Sequence, residues 1–439
     1  MTEYGVSMWC TEIAARAASE ELRMSSLQMR SRQPSLLALA LGSALALGAL
    51  VGCNGPTKQG AVARKEANSR FAKTTSVVSY DQARQAFESG DLSSAQKHIR
   101  EAIARSAEEP RYWVLLGRVE LESRRLEEAR AALDKAVVID PNCAEAYYFR
   151  GVVMERWSQD AKALADYEKS AELDGSKLSY VLATAETMVA LQQIEEAREF
   201  LLSRLAYFEH NAALNELLGD LCAMESDDRA AWRYYEVASL IDPEAPMICE
   251  KLLRSLYAAQ EWQKCLDQSR RLTRAVKDKP SGVVPEAYAM YEGRSLAMLG
   301  RFAEARNAFA GLVHLNPESL EGWIDLGQAA WNAGDDVRAE AASQRIMALA
   351  EGRFEGYWLR GLVAEKRGET AAAVNWFRKA VSCAPENPTA LVSLAVALRR
   401  GGLDAESAQW LARALKADPS FAPAKRAFTA IDPAGETPE

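Results

Sequence analysis

The stretch PRYWVLLGRVELESRRLEEARAALDKAVVIDPNC, residues 110–143, decides the fold. Residues 144–177, AEAYYFRGVVMERWSQDAKALADYEKSAELDGSK, follow with the same length and pattern. Gly117 and Gly151 hold the same place in the two stretches. Gly219, Gly293, Gly327 and Gly361 extend the row at steps of 34 residues or multiples of it, with one offset of six. Twelve residues after each glycine comes Ala129, Ala163, Ala231, Ala305, Ala339 or Ala373. Small residues at that spacing let consecutive helices approach closely, and Gly361 is expected to face Ala373. A 34-residue period of paired helices is a solenoid signature. Such an array grows by stacking neighbours and needs no single large core.

Counting outward, frames begin at 76, 110, 144, 178, 212, 246, 286, 320, 354 and 388. Positions 4, 7, 8 and 11 of each frame share one helical face by the i, i+3, i+4, i+7 rule. Gly90-Asp91, Gly300-Arg301, Gly334-Asp335 and Gly368-Glu369 suit helix stops, followed in most by acidic helix starts. Frame 246 departs, with Leu253 at position 8 and Cys265 at position 20, and bulk there is expected to splay its helix pair. Six extra residues follow, Lys277-Asp278-Lys279-Pro280-Ser281-Gly282, which read as a loop and predict a bend near 277–285. Phe421, Ala424 and Phe428 form an apolar stripe over 421–431, expected to cap the last repeat, and 432–439 is expected to fray.

These frames resemble the tetratricopeptide repeat. That family asks for a bulky residue at position 4, leucine at 7, glycine or alanine at 8, alanine at 20, a large residue at 24, alanine at 27 and proline at 32. Frame 110 supplies Trp113, Leu116, Gly117, Ala129, Leu133, Ala136 and Pro141. Frame 354 supplies Tyr357, Gly361, Ala373, Phe377, Ala380 and Pro385, and frame 212 supplies Leu218, Gly219, Ala231, Tyr235, Ala238 and Pro243. The resemblance covers 76–431. It implies an all-α, right-handed solenoid of about ten helix pairs with a C-terminal capping helix.

It also implies that first-helix positions 2, 5, 9, 12 and 13 line a concave groove. The C-terminal half then places Met290, Arg294, Met298, Ile324, Trp331, Trp358, Glu365 and Lys366 on that wall. The other frames place Tyr80, Arg84, Phe87, Arg118, Tyr148 and Glu155 there, with Glu216, Asp220, Glu250 and Arg254. Trp331 and Trp358 are the sharpest candidates, because large aromatics at a solvated rim often mark binding sites. With Met290, Met298 and Ile324 they are expected to form an apolar strip that takes a protein or peptide ligand. Arg294, Glu365 and Lys366 would supply its polar rim. The lysine and asparagine that mark chaperone-tail clamps at positions 5 and 9 are not present.

The N-terminus carries an address. Met29-Arg30-Ser31-Arg32 is a basic start, Leu36 to Val51 are almost entirely Leu, Ala, Gly and Val, and Leu50-Val51-Gly52-Cys53 follows. A basic region, an apolar stretch and small residues at a cut describe a secretory signal. With cysteine after the small residue, the segment resembles the lipobox of bacterial lipoproteins, which implies cleavage before Cys53 and acylation of its sulfur with palmitate-type chains. The apolar run is shorter than the ~20 residues of a spanning helix. Residues 1–28, with Glu12, Glu20 and Glu21, fit no signal, so translation is expected to begin at Met24 or Met29, the alternative being a real extension. Residues 53–75, rich in lysine and arginine, read as a disordered tether. Asn54 rather than aspartate after the lipidated cysteine leans toward an outer membrane, with the repeats facing the periplasm.

Sixty-one acids against 53 bases leave a net charge of −8, which argues against nucleic acid. His98, His210 and His314 lie in different repeats, and no phosphate loop or nucleophile turn occurs, so no catalytic group, cofactor or metal is expected. Asp227-Asp228 and Asp335-Asp336 sit at interhelical turns, where acids favour a helix N-terminus. Cysteines beyond Cys53 follow no disulfide spacing and read as small core residues. The expected role is a non-catalytic, membrane-anchored scaffold in envelope assembly or secretion. The alternative is a carbohydrate- or peptidoglycan-binding accessory whose aromatics stack sugars.

Overall fold

The computed structural model describes residues 58–278 and 282–429. The expectations for 1–28, the signal 29–52, Cys53 and the tail 432–439 lie outside the described residues. Among the described residues every regular element is an α-helix. The chain divides into two compact units, one through Leu221 and the other from Cys222.

The first unit holds α1 (Lys58–Glu88), α2 (Leu92–Arg105), α3 (Pro110–Glu122), α4 (Leu126–Ile139), α5 (Ala144–Arg156), α6 (Asp160–Leu173), α7 (Leu178–Ala190) and α8 (Ile194–Leu205). Helix α9 (Ala212–Met224) carries the division. The second unit begins with α10 (Asp228–Ile241), α11 (Pro246–Ala258) and α12 (Trp262–Lys277). It continues with α13 (Glu286–Met298), α14 (Phe302–Leu315), α15 (Leu320–Asn332), α16 (Asp336–Leu349), α17 (Phe354–Lys366), α18 (Thr370–Cys383), α19 (Pro388–Arg400), α20 (Asp404–Ala417) and α21 (Ala422–Thr429). From 110 onward, every first helix starts at the first residue of its frame.

Helix α1 departs from the sequence reading. Residues 58–75, expected as part of a disordered tether, continue the first repeat's helix outward. Ala61, Ala63, Lys65, Glu66 and Ala67 are strong helix formers. Once the repeat has nucleated the helix, extension costs little. The extension buries nothing through Phe71, so it gave no apolar stripe to read.

Each pair turns through one residue in the left-handed backbone region at position 15. Gly90, Gly300, Gly334, Gly368 and Gly402 fill it in half of the repeats, with φ from 74° to 82°. Arg124, Ser158, Gln192, Ser226 and Gln260 fill it in the rest, with φ from 55° to 62°. Asp91, Asp227 and Asp335 follow at position 16 and accept hydrogen bonds from the amides of Ser94, Ala230 and Arg338. Asp227 and Asp335, the first of each aspartate pair, are therefore helix caps, and Asp228 and Asp336 open the helices.

In most pairs the large side chain at position 24 packs over position 8, while position 20 lies against the position-8 backbone, where the Ser407 hydroxyl donates to the Ala395 carbonyl at 2.7 Å. A Cβ on Gly361 would fall 2.5 Å from the ring of Phe377, and one on Gly117 would fall 2.6 Å from Leu133. Gly151 meets Tyr167 and Gly293 meets Phe309 in the same way. Ala373, the expected neighbour of Gly361, is buried, and the atoms nearest a Cβ on that glycine are those of Phe377. Frame 246 reverses the sizes, with Leu253 at position 8 and Ser269 at position 24. Both are fully buried, and the Cys265 thiol donates to the Leu253 carbonyl at 3.4 Å. The backbones of α11 and α12 run close over a shorter stretch than those of the glycine pairs α3–α4, α5–α6 and α17–α18, as the leucine predicts. The insertion lengthens α12 to 16 residues against 14 in α10 and α14. Residues 279–281, within the segment where a bend is expected, lie outside the described residues.

Helix α21 caps the array as expected. Ala424 is fully buried, and Phe421 and Phe428 pack on the core of α19 and α20. Cys222, Cys249 and Cys265 form no disulfide and are buried, in keeping with small core residues, whereas Cys143 and Cys383 are only half-buried.

Candidate partner-binding face

The groove positions of the second unit are tied across repeats. Arg294 of α13 reaches Asp325 of α15 at 2.7 Å and Glu321 at 3.7 Å. Trp358 of α17 packs half-buried on the C-terminal core, and its indole N–H donates to the Ser393 hydroxyl of α19 at 2.9 Å. Glu365 pairs with Arg400 at 2.7 Å, and burial pushes its carboxyl above the ordinary range. Lys366 pairs with Asp336 at 2.5 Å and lies 5.4 Å from the ring centroid of Trp331, a cation–π distance. Trp331 itself is half-buried against Ala330, Leu359 and Val363.

The apolar strip therefore takes a different form from the expected one. Ile324 is only 6% exposed and belongs to the core, because adjacent first helices close over position 5 there. Met290 is half-buried against Phe309 and Leu296. Met298 is 47% exposed and is the most open apolar residue of the set. The two tryptophans are wedges between repeats with part of each ring left to solvent.

The first unit presents a second face that the sequence reading undervalued. The Arg118 guanidinium lies between the rings of Phe87 and Phe149, at 5.0 and 4.8 Å, and reaches Glu145 at 3.3 Å. Arg111 lies over Tyr80 and Tyr112 at 5.2 and 5.3 Å. Tyr148 and Tyr180 approach to 4.8 Å between ring centroids. Farther along, the Tyr167 hydroxyl donates to Glu155 at 2.7 Å. Glu186 of α7, at position 9, is 9% exposed, and its Oε1 has no hydrogen-bond partner. Burial, with the Glu155 carboxylate beside it, pushes the Glu186 carboxyl up to about 8. A signal was present: Arg84, Arg118, Arg254 and Arg294 occupy position 9 in four other repeats and Asp220 in a fifth, but only at Glu186 does an acid there follow an acid, Glu155, at position 12 of the preceding repeat.

Among the described residues no group of three or more histidine, cysteine, aspartate or glutamate side chains is placed to hold a metal ion. No described helix is long and apolar enough to cross a membrane.

The tetratricopeptide-repeat family model matches residues 80–142, 290–354 and 359–420. Over these stretches, with the helix pairs in register to the frames, the chain carries tetratricopeptide repeats. The anaphase-promoting complex subunit 3 of Schizosaccharomyces pombe (strain 972 / ATCC 24843) is 23% identical over 171 residues. That match spans 39% of this chain and 26% of the relative's length. Among solved structures, yeast Tom70 aligns with a TM-score of 0.40 at 13% identity, over 82% of this chain and 88% of that one. YrrB, described as a tetratricopeptide-repeat protein with an unusual peptide-binding site, aligns with a TM-score of 0.36 at 19% identity, over 42% of this chain and 95% of that one.

Proposed function

We propose that this chain is a non-catalytic scaffold of the bacterial cell envelope, anchored by a lipid on Cys53 and facing the periplasm from the outer membrane. Its tetratricopeptide repeats make it a protein–protein interaction scaffold. The finer reading, assembly or secretion machinery as the setting, rests on Leu50-Val51-Gly52-Cys53 with its basic and apolar lead. The observation that carries partner capture is the locking of first-helix side chains by neighbouring repeats, as with Lys366 over Trp331 and Trp358 on Ser393. Side chains already ordered before binding lose little freedom when a partner arrives. Sugar stacking is less favoured, since it needs an open ring face and Lys366 lies over Trp331.

Two variants test this reading. Cys53→Ser is expected to abolish incorporation of labelled palmitate and leave an uncut precursor; unchanged labelling overturns the anchor. Met298→Glu, at an open position, is expected to weaken partner capture about tenfold with the unfolding midpoint unchanged. Crosslinking and mass spectrometry on envelope fractions of wild type and variant measure it. Capture that survives Met298→Glu intact moves the contact off this face.

A further inference from the structure

Arg118 and Arg294, at position 9 of their first helices, are each matched by an acid of the next repeat, and the buried Glu186 at the same position is not. Arg118 is answered by Glu145 at position 2 of the next repeat, and Arg294 by Asp325 at position 6 of the next repeat. For Glu186 the equivalent residues are Ala213 and Leu217, which carry no charge. Glu186 makes no hydrogen bond or ion pair among the described residues, although it is nine-tenths buried. Its one acting charged neighbour is another acid, Glu155. One Glu155 oxygen is engaged by Tyr167, and the other has no protein partner among the described residues. A buried carboxylate without a partner is costly, and a cation that reaches it repays that cost.

We propose that the Glu155–Glu186 pair is the receptor for one lysine or arginine side chain carried by an extended segment of a protein partner. This rests on the protein-binding reading above and deepens it. Two carboxyls with a free oxygen on each match the parallel N–H donors of a guanidinium or the three donors of an ammonium. They supply too few oxygens for calcium, which takes six to eight. The Tyr167 hydroxyl holds one Glu155 oxygen at 2.7 Å, so that carboxyl is ordered before the ligand arrives. The arginine–aromatic stacks at Arg111 and Arg118 lie on earlier first helices of the same unit, and they give the rest of an extended segment a rigid surface.

The test is selection of displayed random peptides on the full chain, wild type and Glu186→Gln, followed by synthesis of the best binder. Wild type is expected to enrich a basic residue at one fixed position. Replacing that residue by citrulline or norleucine is expected to weaken binding about tenfold or more, the scale of losing one partner of a buried charge pair. Glu186→Gln is expected to bind the charged and uncharged peptides equally, and Glu155→Gln to narrow the difference. Thermal unfolding of both variants establishes that they are folded. Selected peptides without a basic preference, or a preference unchanged in Glu186→Gln, overturn the proposal while leaving peptide capture standing. Loss of the basic peptide to millimolar calcium, with calcium binding abolished by Glu186→Gln, makes the pair a metal site and also overturns it. Failure of wild type to select any peptide overturns the protein-binding reading itself, and this inference with it.

Discussion

The repeats that begin at 354 and 246 close the same contact in opposite ways. In the first, Gly361 at position 8 leaves room for the Phe377 ring at position 24. In the second, Leu253 fills position 8, and position 24 shrinks to Ser269. Both pairs are sealed, but the glycine pair runs with its backbones close over a longer stretch. The turns differ as well: Gly368 carries the left-handed residue in one repeat and Gln260 in the other. In these two repeats small and large exchange places across the contact, whereas the repeat at 320 has Gly327 and Ser343 there and fills the space with Leu359 of the next repeat. At position 9 the contrast is one of charge, where Arg294 is matched across the repeat boundary and Glu186 is not.

The unmatched charge gives the largest expected effect. The unfolded chain releases the Glu186 proton near the ordinary value of 4.5, whereas the native state holds it to about pH 8. Between these values the native state binds more protons, so stability falls as pH rises and levels off above pH 8. The slope is about 1.4 kcal/mol per pH unit where the difference is one full proton. Glu186→Gln removes that group and is expected to flatten the decline between pH 5 and 8. Urea unfolding across that range measures it; a parallel decline in both proteins would place the lost protons elsewhere.

The size exchange comes next. Gly361→Leu puts bulk into a space where even a Cβ would lie 2.5 Å from the fully buried Phe377 ring. Overpacking of this kind costs about 3 kcal/mol at its upper range, partly offset by about 0.8–1 kcal/mol of helix propensity gained over glycine. Adding Phe377→Ser transplants the Leu253–Ser269 arrangement and is expected to recover about 1–2 kcal/mol, read as the coupling in a double-mutant cycle. Strictly additive losses would mean that positions 8 and 24 do not compensate one another, and the comparison would break.

Much of this was open to reading in the chain. The 34-residue row of glycines sets the frame in which every first helix from 110 onward starts, because most pairs keep a small residue at position 8. The row of small residues did not reveal the large side chain of position 24 that packs over position 8, as Phe377 does over Gly361. The candidate site was less legible. Position numbers specify the face on which Ile324 and Trp331 lie, but not how far adjacent helices close over it, and Ile324 ends in the core. The helix over 58–75 buries nothing through Phe71, so periodicity could not reveal it. Glu186 was missed because the absence of a partner is a property of two repeats at once.

The smallest effect concerns the turns, and it isolates the backbone from packing. Gln260 and Gly368 hold the same left-handed position, at φ 62° and 78°. A residue with a Cβ is strained there by about 1–2 kcal/mol, and glycine is not. Glycine, however, gives the unfolded chain more freedom, which returns about 0.4–1 kcal/mol of that advantage. Gln260→Gly is therefore expected to gain about 0.5–1 kcal/mol by the difference of these two terms. Gly368→Gln is expected to lose a similar amount, since a Cβ on Gly368 would meet no atom within 4 Å and only the backbone is altered. Urea unfolding with an unchanged m-value reads both variants. If Gln260→Gly gains nothing while Gly368→Gln loses stability, the Gln260 side chain holds its turn through contacts that offset the strain, and the two repeats differ in their turns by more than one residue's backbone preference.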